Sequence, residues 1–266
     1  MNFFQAFIIA LVEGITEFLP ISSTAHMKFA DALMGLGEQD AFKSMFEVVI
    51  QLAAIMAVVL LYRKKFFNFS KPGFYIKILI AVIPALVVGI FFKHSIDAAL
   101  GNLTFIAWVM VGGGIILLFI DKIFSHPMFD KEESITKRRA FVIGLGQVLA
   151  VIFPGLSRSA ATIITGMAQK LTRSEAAEFS FFLAVPTMFA ASAKSFYDTY
   201  TQHPEVVSMN NFATLLFGSA VSFIVAVMAI KFFIGFLKKH GFFVWGVYRI
   251  IVGIVMLLLI YTNTIA

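Results

Sequence analysis

The chain has 266 residues, of which 60% are apolar and 14% charged. Soluble domains carry about 25% charged residues, so this composition excludes an ordinary soluble globular protein. The net charge of +6 is not evidence for a nucleic-acid partner, and we expect none, because thirteen of the 21 Lys and Arg residues lie in three short loops.

In chain order, the first element is an apolar segment at about 3–35 that Pro, Gly, Ser and charged residues interrupt. A second interrupted segment follows at about 140–170. Neither can cross a membrane as one lipid-facing helix, because each unpaired backbone group in hydrocarbon costs several kcal/mol. We therefore expect two re-entrant helix–loop–helix segments that turn near the middle of the membrane inside a protein-lined cavity.

The remaining apolar segments have the length of full membrane spans, about 20 residues each. They lie at about 42–62, 74–93, 103–121, 176–198, 211–233 and 242–262. The sequence therefore predicts an all-α polytopic membrane protein with six transmembrane helices. We expect one integral membrane domain, 1–266.

The basic residues predict the orientation of these spans. Thirteen cations lie in loops 63–77 (with Lys71 among them), 121–139 and 231–240, which we expect to be cytoplasmic. Loop 199–210 has no Lys or Arg, and loop 94–102 has none beyond Lys93 at its edge, so both should face the opposite side. This alternation places both termini outside and sends the two broken segments in from opposite faces.

Such an arrangement is an inverted-topology repeat, with halves at about 1–121 and 140–266. The sequence contains a weak echo of it: at an offset of 134, Glu13 corresponds to Gln147, Pro20 to Pro154 and Ser23 to Ser157. Paired interrupted segments in two halves are the usual indication of a binding site at the membrane midplane.

The first broken segment contains EGITEFLPISSTAH, residues 13–26, in a chain with few charges. Glu13 and Glu17 lie one helical turn apart, so they share a face and could hold Mg²⁺ or Ca²⁺, or divide into a base and a metal ligand. The alternative is an interfacial helix end with two solvated acids. Pro20 breaks the helix, after which a new N-terminus capped by Ser22, Ser23 or Thr24 is a candidate anion site.

His26 follows Ser23 by three residues. The pair could supply a hydroxyl nucleophile with a nearby base, or the imidazole could itself be the nucleophile. Most SxxH pairs are helix caps or buried residues with satisfied hydrogen bonds, so the spacing alone is weak evidence.

The second broken segment contains PGLSRSAAT, residues 154–162. Arg158 lies deep in an apolar segment, and its planar guanidinium suits bidentate recognition of phosphate. Ser157 and Ser159 can cap the helix that follows. The alternative for Arg158 is snorkelling to an interface or a structural ion pair. Glu47, Gln51 and Glu178 are candidates for supporting the site, and Arg249 for a structural pair.

The two motifs resemble the signatures of the undecaprenyl-diphosphate phosphatase family, bacterial membrane enzymes associated with bacitracin resistance, and the resemblance covers essentially the whole chain. It implies removal of the terminal phosphate from a C55 polyprenyl diphosphate that carries cell-wall precursors, and a divalent cation. It also implies a multi-pass protein of the plasma (inner) membrane, with the active site facing outward. The motif positions are Glu13, Glu17, Ser22, Ser23, His26, Pro154, Gly155, Ser157, Arg158, Ser159 and Thr162.

On this basis we expect catalytic roles for Glu13, Glu17, Ser23, His26 and Arg158. We expect phosphate binding by Ser22, Ser157, Arg158, Ser159 and Thr162, and metal binding by Glu13 and Glu17. The partners expected are the polyprenyl diphosphate and membrane lipids, with a homodimer left open. The alternatives are a transporter or flippase for a phosphorylated lipid or anion, and a structural membrane subunit without a site.

Overall fold

A computed structural model describes residues 1–37, 40–70, 72–203, 206 and 209–265. Parts of two predicted loops lie outside the described residues. They are Lys71 of loop 63–77, and residues 204, 205, 207 and 208 of loop 199–210. Within these ranges the secondary structure is helical, apart from short turns and one isolated bridge between Phe129 and Leu171.

The described helices are numbered in chain order. Their bounds are α1 Phe3–Thr16, α2 Ser23–Leu33, α3 Ala41–Leu61, α4 Arg63–Phe66, α5 Pro72–Phe91, α6 Lys93–Leu100, α7 Leu103–Ile123, α8 Lys137–Ile152, α9 Arg158–Ala168, α10 Arg173–Gln202, α11 Met209–His240 and α12 Phe243–Tyr261. Six of them, α3, α5, α7, α10, α11 and α12, are long and apolar enough to cross a membrane. The prediction of a polytopic all-α protein with six spans is confirmed.

Two of the predicted loops are helical. Loop 231–240 forms the last turns of α11, and most of loop 94–102 forms α6. Lysine is a good helix former, so nothing in the sequence stops α11 until Gly241. Gly241 has φ +66°, the left-handed conformation that ends many helices.

The two broken segments are each a pair of helices joined by a short non-helical stretch: α1 and α2, then α8 and α9. The breaks contain Pro20 and Pro154, and proline cannot donate a backbone hydrogen bond. Gly155, at φ +97°, supplies a backbone conformation that residues with side chains rarely adopt.

The second helix of each pair starts in the same unusual way. Ser22 at φ 73° and Ser157 at φ 76° are the N-caps, and their side chains accept from the N–H groups of Ala25 and Ala160. The caps therefore correspond at an offset of 135. The predicted pairing of Ser23 with Ser157 is wrong by one residue, because two residues separate Pro154 from the cap Ser157, whereas one residue separates Pro20 from the cap Ser22.

The packing partners of the helices repeat between the halves. α1 packs against α11 as α8 packs against α5, while α3 packs against α10 and α7 against α12. The outer surfaces of the spans carry exposed large apolar side chains, among them Ile90, Phe91 and Ile251. Exposed apolar belts on helices of this length are typical of a lipid-facing surface, so the chain is a multi-pass membrane protein.

The loops at the predicted cytoplasmic end are joined by an ionic cluster. Lys65 Nζ lies 2.8 Å from Glu132 and 3.2 Å from Glu178. Burial lowers the pKa of Lys65, but the hydrogen bonds and charges of these two carboxylates outweigh it and raise the pKa above its ordinary value. Glu178 therefore belongs to this end and does not support the predicted site.

Candidate active site

A cavity of about 250 Å³ lies where the two breaks meet. Its walls come from both halves of the chain, together with the mostly apolar faces of α6 and α10. Its polar lining is Glu17, Ser22, Ser23, Thr24, Gln51, Gln147, Ser157, Arg158 and Thr187. The structure thus brings five predicted site residues into one cavity. Glu17, Ser22 and Ser23 come from the first motif, and Ser157 and Arg158 come from the second motif, at least 134 positions later.

Glu17 is the centre of the polar contacts. Its Oε1 accepts from Arg158 Nη2 at 2.7 Å, and its Oε2 accepts from Ser23 Oγ at 2.6 Å. Arg158 also donates from Nη1 to the Ser180 carbonyl at 3.3 Å. Because Glu17 is buried, both contacts are made away from bulk water, where charged hydrogen bonds are strongest.

Glu13 lies one turn before Glu17 and is fully buried. Within the described residues neither of its carboxyl oxygens has a hydrogen-bond partner, although the Glu17 carboxyl is near enough to repel it. Two adjacent buried carboxylates are costly unless a proton or a cation lies between them. A shared proton or a hard divalent cation between the carboxyl oxygens of Glu13 and Glu17 would relieve this cost.

The side chain of His26 is not part of the cavity lining. Its Nδ1 lies 2.8 Å from the Ser22 carbonyl oxygen, and its Nε2 lies 2.8 Å from the Tyr248 hydroxyl, with the two rings stacked. Since a carbonyl only accepts, Nδ1 carries the proton and Nε2 accepts from Tyr248. The expected Ser23–His26 pair is absent from the described contacts, where Ser23 bonds to Glu17 instead.

Two of the predicted phosphate ligands hold the fold together. Ser159 Oγ donates to the Leu19 carbonyl at 2.8 Å, which joins the second break to the first. The Thr162 hydroxyl lies 2.6 Å from the Ser180 hydroxyl and so links α9 to α10. Neither side chain lines the cavity, whereas Ser22 and Ser157 do.

The cavity receives the N-termini of both α2 and α9. Ser22 to Thr24 and Ser157 to Arg158 form part of its wall. The first N–H groups of a helix have no intrahelical acceptor and carry partial positive charge, so they attract anions. Two such helix ends and Arg158 make this cavity suited to a multiply charged anion such as a diphosphate.

The sequence did not indicate that Thr187 and Tyr248 lie at the site. It also did not indicate that Arg249 donates to backbone carbonyls there. Thr187 accepts from Gln147 Nε2 at 3.2 Å, and both line the cavity. Tyr248 contacts His26 across 222 positions. No local pattern points to these contacts, because each joins residues that are at least 40 positions apart in the sequence.

The supporting residues predicted on α3 are divided between two places. Gln51 lines the cavity. Glu47 lies 3.8 Å from Lys43 Nζ, which in turn lies 2.8 Å from Asp31. This buried cluster joins α2 to α3 beside Glu13.

Comparison with known proteins agrees with the geometry. Residues 6–255 match the model of a family described as bacitracin resistance protein BacA. Among curated relatives, the undecaprenyl-diphosphatase of Flavobacterium psychrophilum is 50% identical over 259 residues, covering 97% of this chain and 96% of the relative. Those of Porphyromonas gingivalis and Bdellovibrio bacteriovorus are 46% and 44% identical, with 97% and 99% of this chain and 97% and 98% of the relatives covered. The chain belongs to the bacitracin resistance protein BacA family.

Proposed function

We propose that this protein is a membrane phosphatase that hydrolyses undecaprenyl diphosphate to undecaprenyl phosphate and inorganic phosphate. The reaction recycles the lipid carrier of cell-wall synthesis and confers bacitracin resistance. The observation that carries the proposal is the buried Ser23–Glu17–Arg158 set beneath two helix N-termini. It combines a hydroxyl, a base and a cation at an anion site, and relatives named for this activity cover nearly the whole chain.

In the bound state, Arg158 and the N–H groups at the starts of α2 and α9 hold the diphosphate. Arg158 then exchanges part of its contact with Glu17 for the phosphate oxygens, which frees Glu17 to act on Ser23. Positive groups fixed in a buried site stabilise the charge that develops on the transferring phosphoryl group without reorganising.

Ser23 is the nucleophile that this geometry supports best. Its Oγ attacks the terminal phosphorus while its proton passes to Glu17, 2.6 Å away, and the P–O bond to the lipid monophosphate breaks. Water then hydrolyses the phosphoserine, and the Glu17 carboxyl returns the proton to Ser23. Attack by His26 is less well supported, because Tyr248 occupies its Nε2.

Glu13 and Glu17 are the residues that would hold Mg²⁺ or Ca²⁺, with the remaining ligands from phosphate oxygens and water, as is common for Mg²⁺. When bound, the ion offsets negative charge on the phosphates. The two unpartnered oxygens of Glu13 support this assignment. Among the described residues, no third Asp, Glu or His side chain completes such a group.

We assign the prenyl chain to a mostly apolar groove of about 510 Å³ between α3, α5, α6 and α10, whose lining also includes Lys93, Asp97, Lys194 and Asp198. The groove shares Gln51, Ile96, Leu100 and Ala191 with the cavity, so the two are continuous. Its rim includes Leu86 and the strongly exposed Ile90, which would face lipid. A substrate could therefore keep its tail in the bilayer while its diphosphate reaches Arg158.

Ala191 lies where groove and cavity join, and a large side chain there should obstruct the tail. We expect Ala191→Trp to lower kcat/KM for undecaprenyl diphosphate about tenfold, which corresponds to about 1.4 kcal/mol, because the indole would occupy space that the prenyl chain needs. The same substitution should lower kcat/KM for a short prenyl diphosphate much less. Ala193→Trp, on the same helix but outside both linings, is the matched control. If Ala191→Trp lowers kcat/KM equally for the short and the long substrate, the prenyl chain does not bind in this groove.

We also propose that the protein lies in the bacterial plasma membrane with the cavity open to the outer side. The cavity is lined by Ile96 and Leu100 of α6, at the end opposite the Lys65 cluster and the cation-rich loops. Backbone bonds between residues 128–129 and 170–172 join the approach to α8 with the end of α9, as a re-entrant segment entering and leaving on one side requires. The repeated helix packing supports an inverted repeat.

Two serine-to-cysteine substitutions test this orientation in a chain without cysteine. Ser70 lies in loop 63–77 and Ser95 in α6, and both are exposed. In intact cells we expect a membrane-impermeant maleimide to label Ser95→Cys and to label Ser70→Cys only after permeabilisation. The reverse pattern would invert the orientation.

The transporter alternative is not favoured by the family assignment. Binding of an anion would explain Arg158 and the helix ends, but not a hydroxyl and a carboxylate in contact at the same place. Phosphate release by purified protein in detergent separates the two functions, because transport has no readout without a membrane.

A further inference from the structure

Arg249, on α12, has an unusual set of partners. It is fully buried, and its guanidinium donates only to backbone carbonyls among the described residues. These are Met110 at 3.3 Å, Pro20 at 3.1 Å, Leu156 at 2.7 Å, Val109 at 3.4 Å and Gly155 at 2.8 Å. One side chain therefore binds the first break, the second break and α7 together.

A buried cation without a carboxylate partner is expensive, and replacing such a group with an apolar side chain often stabilises a protein. Simple adhesion between helices would not need a charge. Three of the five carbonyls that Arg249 binds, those of Pro20, Gly155 and Leu156, belong to the two breaks, and both breaks contribute residues to the wall of the active-site cavity. This placement suggests that the charge serves the site.

The geometry of the peptide bond relates the carbonyls that Arg249 binds to the N–H groups of the residues that follow them. In a trans peptide, the carbonyl and the N–H of the next residue point in opposite directions. With the Pro20 and Leu156 carbonyls turned toward Arg249, the N–H groups of Ile21 and Ser157 point away from it. Neither N–H has a hydrogen-bond acceptor among the described backbone contacts. Ser157 itself, Ser22 next to Ile21, and Gly155 line the cavity.

We propose that Arg249 is a positioning residue that orients the peptide units of both breaks so that their N–H groups form an anion-binding surface for the diphosphate. The proposal rests on the proposed function for the identity of the anion. It also explains the positive φ values of Ser22 and Ser157, because the chain must turn sharply to present its carbonyls on one side and its amides on the other.

Helix α7 is shaped to receive this guanidinium. A Cβ at Gly113 would lie 2.3 Å from Arg249 Nη2 and 2.9 Å from Cζ, so any side chain there must displace the guanidinium. A Cβ at the neighbouring Gly112 would meet nothing within 4 Å. The chain thus offers a pair of adjacent substitutions, of which one moves Arg249 and the other does not.

The test measures binding of inorganic pyrophosphate to the full-length protein in detergent by thermal shift, and kcat/KM in parallel. We expect Gly113→Ala to weaken pyrophosphate binding about tenfold or more relative to Gly112→Ala. The displaced Arg249 would no longer orient the N–H groups of the two breaks, so their hydrogen bonds to the charged pyrophosphate would be lost. Arg249→Ala should show the same weakening, and added guanidinium should partly restore it while ammonium should not.

The outcomes distinguish failure of the proposed role of Arg249 from failure of the proposed phosphatase function. Normal pyrophosphate affinity in both Gly113→Ala and Arg249→Ala, with only a lower melting temperature, would make Arg249 merely structural and overturn the proposal. Pyrophosphate binding by the wild type without phosphate release from lipid diphosphates would instead contradict the proposed function. Loss of affinity that guanidinium restores supports the positioning role.

Discussion

We expect Arg158→Ala to lower kcat/KM for undecaprenyl diphosphate by about 10³-fold or more, the range in which arginines that contact a transferring phosphoryl group act. Arg158 is the cation that lines the cavity between the two helix N-termini. Its removal also leaves Glu17 buried without its charged partner. Arg158→Lys keeps the charge but loses the planar fork, so it should recover only part of the activity.

Phosphate release under steady-state conditions measures this effect, with melting temperature in detergent as the control for folding. Arg138→Ala is the matched surface variant, because Arg138 is exposed in the first turn of α8. It should behave as the wild type. Near-normal turnover of a folded Arg158→Ala protein would exclude Arg158 from the active site.

The second large effect concerns Glu17. Glu17→Gln keeps the size of the side chain but removes the base for Ser23 and the charge facing Arg158, so we expect kcat to fall by about 10² to 10⁴-fold. Glu178→Gln is the matched control, because Glu178 bonds to Lys65 at the opposite end of α10 from the groove mouth. It should leave kcat within a few-fold of wild type.

A Glu17→Gln enzyme that turns over normally would transfer the role of base to another group. Since Ser23 Oγ has Glu17 as its only side-chain partner among the described residues, His26 would then be the next candidate. A simultaneous loss of activity in His26→Gln but not in Glu17→Gln would select that mechanism.

The sequence alone predicted the six spans and the two breaks because each depends on local chemistry. Apolar runs of about 20 residues have few alternatives to a spanning helix. Pro20 and the Pro154–Gly155 pair lie beside Ser and charged residues and mark the two breaks, whereas Pro84 and Pro186 lie inside the apolar spans α5 and α10 without ending them. The extension of α11 through Lys238 and Lys239 was not predicted, because a lysine-rich helix end and a lysine-rich loop have the same composition.

The pairings of the site could not be predicted from the sequence. The structure brings Glu17, Ser23 and Arg158 into contact, whereas the partner of His26 is Tyr248 and the partners of Arg249 are carbonyls. Those contacts depend on how α12 is placed against the breaks, which is set by close packing at residues such as Gly114 and Gly246. The pattern of apolar residues along the chain does not predict how α12 packs against the breaks.

The most direct test of the account is phosphate release from undecaprenyl diphosphate by the purified protein in detergent, with and without a chelator of divalent cations, beside Glu17→Gln. We predict one phosphate released per diphosphate, loss of release with chelator, its recovery with Mg²⁺ or Ca²⁺, and almost none from Glu17→Gln. Folded wild-type protein that releases no phosphate under any of these conditions would contradict the account.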